Sequence, residues 1–227
     1  ICCGLSVSGL LCVVSCLLYT PPMHYIIVGL GNPGEEYALT RHNAGRIVLG
    51  VFAKSISADD FVLDKKINAS VSKGGVAKNK VTLVEPETFM NKSGLSVKSL
   101  VKVAKSKVFK GGVAENLVVI HDDLDIPIGK FKISFNKSSG GHKGVESIIK
   151  AIGTEAFVRV RMGISPSTAS GKLKKPSGEK LIGDFIVDPF KKAELELIKK
   201  SAKKVAEGLS VLVEHGRDKA MSEFNGL

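Results

Sequence analysis

The chain has 227 residues, 44% of them apolar, and a formal net charge of +11. That length and apolar share support one folded domain with a real core and exclude a disordered or low-complexity protein. The charge surplus attracts polyanions, so nucleic acid is the first partner to test, although many basic proteins bind nothing acidic. Ile1 to Leu18 carries no charge and is mostly apolar. It is near the minimum length for a membrane span, and it lacks the basic start of a signal peptide and the arginines of a mitochondrial leader. Met23 lies two residues before a convincing strand. Residues 1–22 are therefore expected to be an apolar leader or a mis-predicted extension, and 23–227 the functional domain; an anchor or signal is the alternative. All four cysteines, Cys2, Cys3, Cys12 and Cys16, fall in that first stretch. The rest has no cysteine for a disulfide, a thiolate metal site or a nucleophile. No histidine cluster accompanies the four, so no metal site is expected there.

After Met23 strands and helices alternate. Tyr25 to Leu30 is a short apolar run ended by glycines, which predicts a buried strand. Gly45 to Ser55 predicts a helix with Ile47, Val48, Val51 and Phe52 on one face. Ala69 to Ser72 and Val81 to Glu85 predict a strand pair across a Gly-Gly turn region. Lys92 to Lys105 predicts a helix with Val97, Leu100, Val101 and Ala104 inward. Leu117 to His121 is a second buried strand, and Phe131 to Phe135 alternates as a half-exposed strand does. Val145 to Ile152 is a short helix. Phe157 to Ile164 is a strand with Val158, Val160 and Met162 on one side. Ser165 to Lys180 is rich in Ser, Gly, Pro and Lys and predicts a mobile surface loop. Pro189 to Glu214 is a long amphipathic helix. Its apolar positions Leu195, Ile198, Ala202, Val205, Leu209 and Leu212 oppose Lys199, Lys200, Lys203 and Lys204. Such a charge run is often only a solvated face; beside a Lys-rich loop in so basic a chain, phosphate contact is the favoured reading. The whole predicts a single α/β domain with a mixed, twisted sheet sandwiched between helices.

Gly29-Leu30-Gly31-Asn32-Pro33-Gly34 matches a dinucleotide-binding loop. That fingerprint needs a helix opening at its third glycine and an acid about 20 positions on. Neither follows, because Asp59 and Asp60 come too late. An oxidoreductase reading would rest on this pattern alone. A scattered polar set is more promising: Asn32, His42, Met90-Asn91, His121-Asp122-Asp123 and Gly140-Gly141-His142-Lys143-Gly144. Strand ends and helix starts of an α/β sheet converge on one rim, where ligands bind. A histidine there can take a proton from water near neutral pH, and a carboxylate can fix its tautomer. Amide side chains can hold a carbonyl and its developing oxyanion. Plainer roles stay open on spacing alone: structural histidines, turn aspartates, a helix cap at Asn91 and core packing at Phe89 and Met90.

Ile26 to Tyr37, Thr40-Arg41-His42-Asn43-Ala44-Gly45, Pro86 to Gly94, His121 to Pro127 and Ser139 to Gly144 together resemble the bacterial-type peptidyl-tRNA hydrolase family. The likeness continues through Phe157 to Ile164 and on to Phe224-Asn225, and so covers the chain from Met23 onward. It implies the phosphorylase/hydrolase-like form of the α/β architecture. It also implies hydrolysis of the ester between peptide and tRNA, with peptidyl-tRNA as partner and neither metal nor cofactor. His42 would activate water and Asp122 orient it. Asn32, Tyr37, Met90 and Asn91 would bind substrate near the scissile ester and terminal ribose, with His142 and Lys143 beside them. Lys132 and Arg161 would clamp the 5′-phosphate region of tRNA. Lys172 and Lys174 in the gate-like loop would bind tRNA, and the last long helix, with Lys199 and Lys203, would contact the acceptor stem. The family usually has asparagine where this chain has Lys143, and a lysine cannot accept a hydrogen bond. Ser134 stands where many members are basic. A non-catalytic RNA-binding relative, like certain plant organelle splicing factors, is the rival from another class. A monomer in the cytoplasm is expected, with the mitochondrion as the alternative compartment.

Overall fold

The apolar run expected at Tyr25 forms the middle of the sheet: β1 is His24–Gly29. In the computed structural model of the chain, residues 21–103, 114–168 and 170–226 are described. The other strands are β2 (Val62–Asp64), β3 (Ala69–Val76), β4 (Asn79–Pro86), β5 (Ala114–Pro127), β6 (Phe131–Phe135) and β7 (Phe157–Ser165). They form one seven-stranded sheet in the order β2-β3-β4-β1-β5-β7-β6. The four middle strands β4, β1, β5 and β7 run parallel; β2, β3 and β6 are antiparallel to their neighbours. β1 pairs with β4 on one side and β5 on the other, so the chain crosses over β1 between them. A crevice outside the carboxyl ends of such strands is the usual ligand site.

Among the described residues, six α-helices cover the sheet: α1 (Ala44–Ser55), α2 (Ser93–Val103), α3 (Lys143–Ile152), α4 (Glu179–Val187), α5 (Lys192–His215) and α6 (Arg217–Phe224). Val48 and Phe52 of α1 and Ile198, Val205 and Leu209 of α5 pack on one face of the sheet, with Ile27, Val158 and Val160. Val97 of α2 and Val145 and Ile148 of α3 pack on the other, with Ile26, Val28 and Val119. The mixed sheet between helices is thus as expected. Among the described residues, no helix is long and apolar enough to cross a membrane.

Local expectations fare unevenly. The strand pair is real, but its turn is at Ala77-Lys78, with Ala77 at φ +50°, and the Gly-Gly lies inside β3. A side chain at Gly74 would sit 2.9 Å from Ile56, so packing rather than turning asks for glycine there. The segment expected as one loop ends in a helix, α4, from Glu179. The inward helix positions hold for Val97, while Ala104 and the leader residues 1–20 lie outside the described residues. After Gly34 comes a 3-10 turn, Glu35–Tyr37, and not the long helix of a dinucleotide site.

Candidate active site

Three strand ends carry the polar set. β1 runs out into Leu30 and Asn32, and β4 ends before Met90. β5, which continues to Pro127 rather than stopping at His121 as expected, carries His121, Asp122 and Asp123 just past the end of its pairing with β1 at Ile120. His42 comes from a buried 3-10 turn, Arg41–Asn43, that leads into α1. That turn is held from outside. Arg41 Nη1 donates to the carbonyls of Phe185 and Asp188, and its Nη2 pairs with Glu194 at 2.9 Å.

The expected pair is formed. His42 Nδ1–H donates to Asp122 Oδ1 at 2.9 Å, and the two residues are only 7% and 3% exposed. A carboxylate oxygen accepts, so the proton sits on Nδ1, which leaves the Nε2 lone pair of the neutral ring available as a base. His142 Nε2–H donates to the same Oδ1, also at 2.9 Å. His142 also caps α3, its Nδ1 accepting from the main-chain N–H groups of Gly144 and Val145 at 3.2 and 3.3 Å. The cap needs a bare Nδ1, so it fixes the proton of the neutral ring on Nε2. Burial alone would raise the Asp122 pKa. The adjacent His42 and His142 more than reverse this, holding the carboxyl well below its usual range.

His42, Asp122 and His142 also offer three ligand atoms within 4.8 Å of one another, a spacing that could hold a metal ion. The donor set argues against one. A cation on His142 Nε2 would displace the proton the cap places there and undo the cap.

The substrate-side residues form a second cluster. Asn32 Oδ1 accepts from the Met90 N–H at 2.9 Å, which frees the Asn32 NH₂ group to donate. Asn43, which sequence reasoning passed over, locks this loop: its Oδ1 accepts from Asn32 N–H at 2.8 Å and its Nδ2 donates to Asn32 O at 2.9 Å. Met90 is buried against Gly144 at the start of α3. Asn91 is exposed and lies inside the 3-10 turn Met90–Lys92 rather than at a helix cap. Tyr37 meets Phe89 edge to face at 6.4 Å.

A cavity of about 770 Å³ opens beside His42, Asp122 and His142. Lys132 and Arg161 line it, as does Lys143, whose ammonium is 3.4 Å from Glu179 at the start of α4. Both groups are exposed, so this pair contributes little stability. Arg161 is already paired, its Nε 2.7 Å from Asp123 Oδ2. Lys172 and Lys174 are exposed and outside the cavity lining; Lys175 lines it and pairs with Asp125 at 2.7 Å. Lys199 and Lys203 stand exposed on α5, Lys199 being 3.3 Å from Glu196. Sequence reasoning also missed Arg159, a buried arginine in the cavity wall.

The family model described as peptidyl-tRNA hydrolase matches residues 26–227. A protein of that name from Thermodesulfovibrio yellowstonii is 38% identical over 202 residues, 89% of this chain and 99% of its own length. One from Carboxydothermus hydrogenoformans is 38% identical over 201 residues, 88% of this chain and 98% of its own length. The crystal structure of peptidyl-tRNA hydrolase from Acinetobacter baumannii superposes with a TM-score of 0.77 at 29% identity, covering 89% of this chain and 94% of that one. Sequence and fold agree across almost the whole described domain, and the chain belongs to the peptidyl-tRNA hydrolase family.

Proposed function

We propose that the chain hydrolyses the ester joining a peptide to the 3′ end of tRNA, with His42 as its base. One observation carries this reading: a buried histidine holds its Nδ1 proton on a buried carboxylate at the edge of a cavity. His42 Nε2 takes a proton from water as the oxygen attacks the ester carbonyl carbon. The oxyanion is steadied by amide donors, the Asn32 NH₂ first among them and Asn91 at the ribose side. On collapse the C–O bond breaks, and the proton on His42 passes to the departing 3′-oxygen. A free peptide carboxyl and an intact tRNA result.

Asp122 acts by orientation and charge, since the imidazolium formed during the reaction sits on a carboxylate held ionised. His142 holds the other side of Asp122 and borders the peptide-side groove. Met90 and Tyr37 shape the substrate pocket, and Lys143 stands at its rim. Lys132, Arg161, Lys172, Lys174, Lys199 and Lys203 supply positive charge along the tRNA. The reading calls for no metal and takes the active form as a monomer. An enzyme that recycles tRNA works where ribosomes do, in the cytoplasm or the mitochondrial matrix.

The test is cleavage of diacetyl-lysyl-tRNA by the purified protein. A base of this kind contributes about 10²–10⁴-fold. His42→Ala should lose at least that much in kcat while keeping tRNA affinity. Undiminished cleavage by the variant removes His42 from the role. A wild-type protein that binds tRNA without cleaving it favours the non-catalytic RNA-binding alternative.

A further inference from the structure

Arg159 on β7 stands directly opposite Ser134 on β6. Residues so paired in an antiparallel ladder project from the same face, with Cβ atoms about 4.5–5.5 Å apart. They are 2% and 5% exposed, and both line the cavity that reaches His42 and Asp122. The guanidinium is fixed at one corner, where Nη1 donates to the Ser138 carbonyl at 2.6 Å. Its Nε and Nη2 have no partner, and neither does Ser134 Oγ. Those two nitrogens carry the parallel N–H pair along one edge of the guanidinium, the edge that meets two oxygens of an oxyanion at once.

Buried polar atoms are nearly always paired, and a buried cation without a counter-charge is costly. Glu155 and Asp123 favour its charge from a distance, but neither pairs with it directly, and Asp123 serves Arg161 at 2.7 Å. Lys132 and Lys137 line the same cavity and add charge of the same sign. A buried, unpartnered two-donor edge, an unpartnered hydroxyl and surplus positive charge therefore converge on one wall.

We propose that Arg159 and Ser134 form a buried subsite for one phosphate group of RNA in the wall of the reaction cavity. Two phosphate oxygens lie along Nε–H and Nη2–H of Arg159, and a third accepts from Ser134 Oγ–H. The contact is separate from the roles given to Lys132 and Arg161. The RNA half of the proposal rests on the tRNA reading; the phosphate half does not.

The first arm uses inorganic phosphate and the full chain. Titration is followed by calorimetry and by the Arg159 Nε–H resonance. That resonance should shift saturably. Loss of a charged donor pair should make Arg159→Gln weaken binding about tenfold or more, whereas Lys54→Ala, exposed on α1, should leave it unchanged. Ser134→Ala should weaken it severalfold, and it decides the matter alone if Arg159→Gln fails to fold. Binding that is insensitive to both changes overturns the subsite. The second arm compares an acceptor-stem RNA hairpin bearing a 5′-phosphate with the same RNA bearing a 5′-hydroxyl. Loss on Arg159→Gln confined to the phosphorylated RNA identifies a terminal phosphate, and equal loss identifies an internal phosphodiester. No loss with either RNA overturns the assignment to RNA. Phosphate binding that survives in a protein unable to cleave diacetyl-lysyl-tRNA would sink the hydrolase reading and leave this subsite standing.

Discussion

The proton arrangement around Asp122 makes stability depend on pH through one neighbour. His121 Nδ1–H donates to the Asp122 carbonyl at 2.7 Å, and its ring packs edgewise on His142 with centroids 4.7 Å apart. Burial first, and the His142 charge second, push its pKa well below the usual value, against the smaller opposing pull of Asp122. An unfolded histidine titrates near pH 6.5. Below that pH the unfolded chain binds a proton that folded His121 refuses, so its contribution is present above about pH 6.5 and lost as pH falls. Asp122 is depressed as well, so its contribution is present above the unfolded value and lost only below about pH 4. As pH falls, the His121 loss therefore sets in before the Asp122 loss. Tm should fall between about pH 6.5 and 5, and His121→Phe should flatten that fall. His24, lowered by burial and by Lys80 and Lys73, keeps its share in both proteins. Identical Tm–pH slopes in the two proteins would show that His121 is not the source.

Helix α1 carries two glycines with opposite demands. Gly45, just after the His42 turn, faces the end of β1 and the middle of β5. A side chain there would collide with the Ile120 carbonyl and sit 2.6 Å from the Leu30 backbone. Gly50, one turn and a half along, has nothing within 4 Å of where a side chain would go. Gly45→Ala should therefore cost about 1–3 kcal/mol by overpacking, and it should lower kcat because Ile120 and Leu30 lead into Asp122 and Asn32. Gly50→Ala should add about 0.5–1 kcal/mol by helix propensity and leave kcat alone. Urea unfolding reads both, and equal effects would mean that α1 can shift away from the sheet. The same contrast marks what was legible in the sequence. α1, α5 and the parallel strands were legible because long apolar runs or helical stripes meet one buried face. β2 was not, being three exposed residues on a sheet edge. α4 buries none of its residues fully and α6 only Ala220, so neither has a core stripe strong enough to find.

Charge is a property of the whole chain, and its placement separates what the sequence could show from what only folding shows. Along β7 the alternation placed Val158, Val160 and Met162 inward, which is correct, and so left Arg159 on an outer face. Arg159 is nonetheless buried, its guanidinium donating to the Ser138 carbonyl, a tertiary contact that no local period encodes. His42, Asp122 and Asn32 were legible because strand ends must meet at one rim whatever the loops do. On α5 the lysines were legible for the opposite reason, since nothing covers them: Lys199, Lys200, Lys203 and Lys204 are all exposed while Ile198, Ala202 and Val205 are buried. Whether that face is merely solvated or meets RNA is a question of ion release. Each lysine that neutralises a phosphate adds about 0.9 to the slope of log affinity against log salt on duplex RNA, taking the B-DNA value as a guide. Lys203→Ala should flatten the slope for tRNA by close to that amount. Lys199→Ala should flatten it less, because Glu196 already sits 3.3 Å from its ammonium. His42→Ala, which removes no phosphate contact, should leave the slope as it is. If Lys203→Ala leaves the slope unchanged, the lysine face only keeps α5 in water, and the tRNA must be held from the cavity side alone.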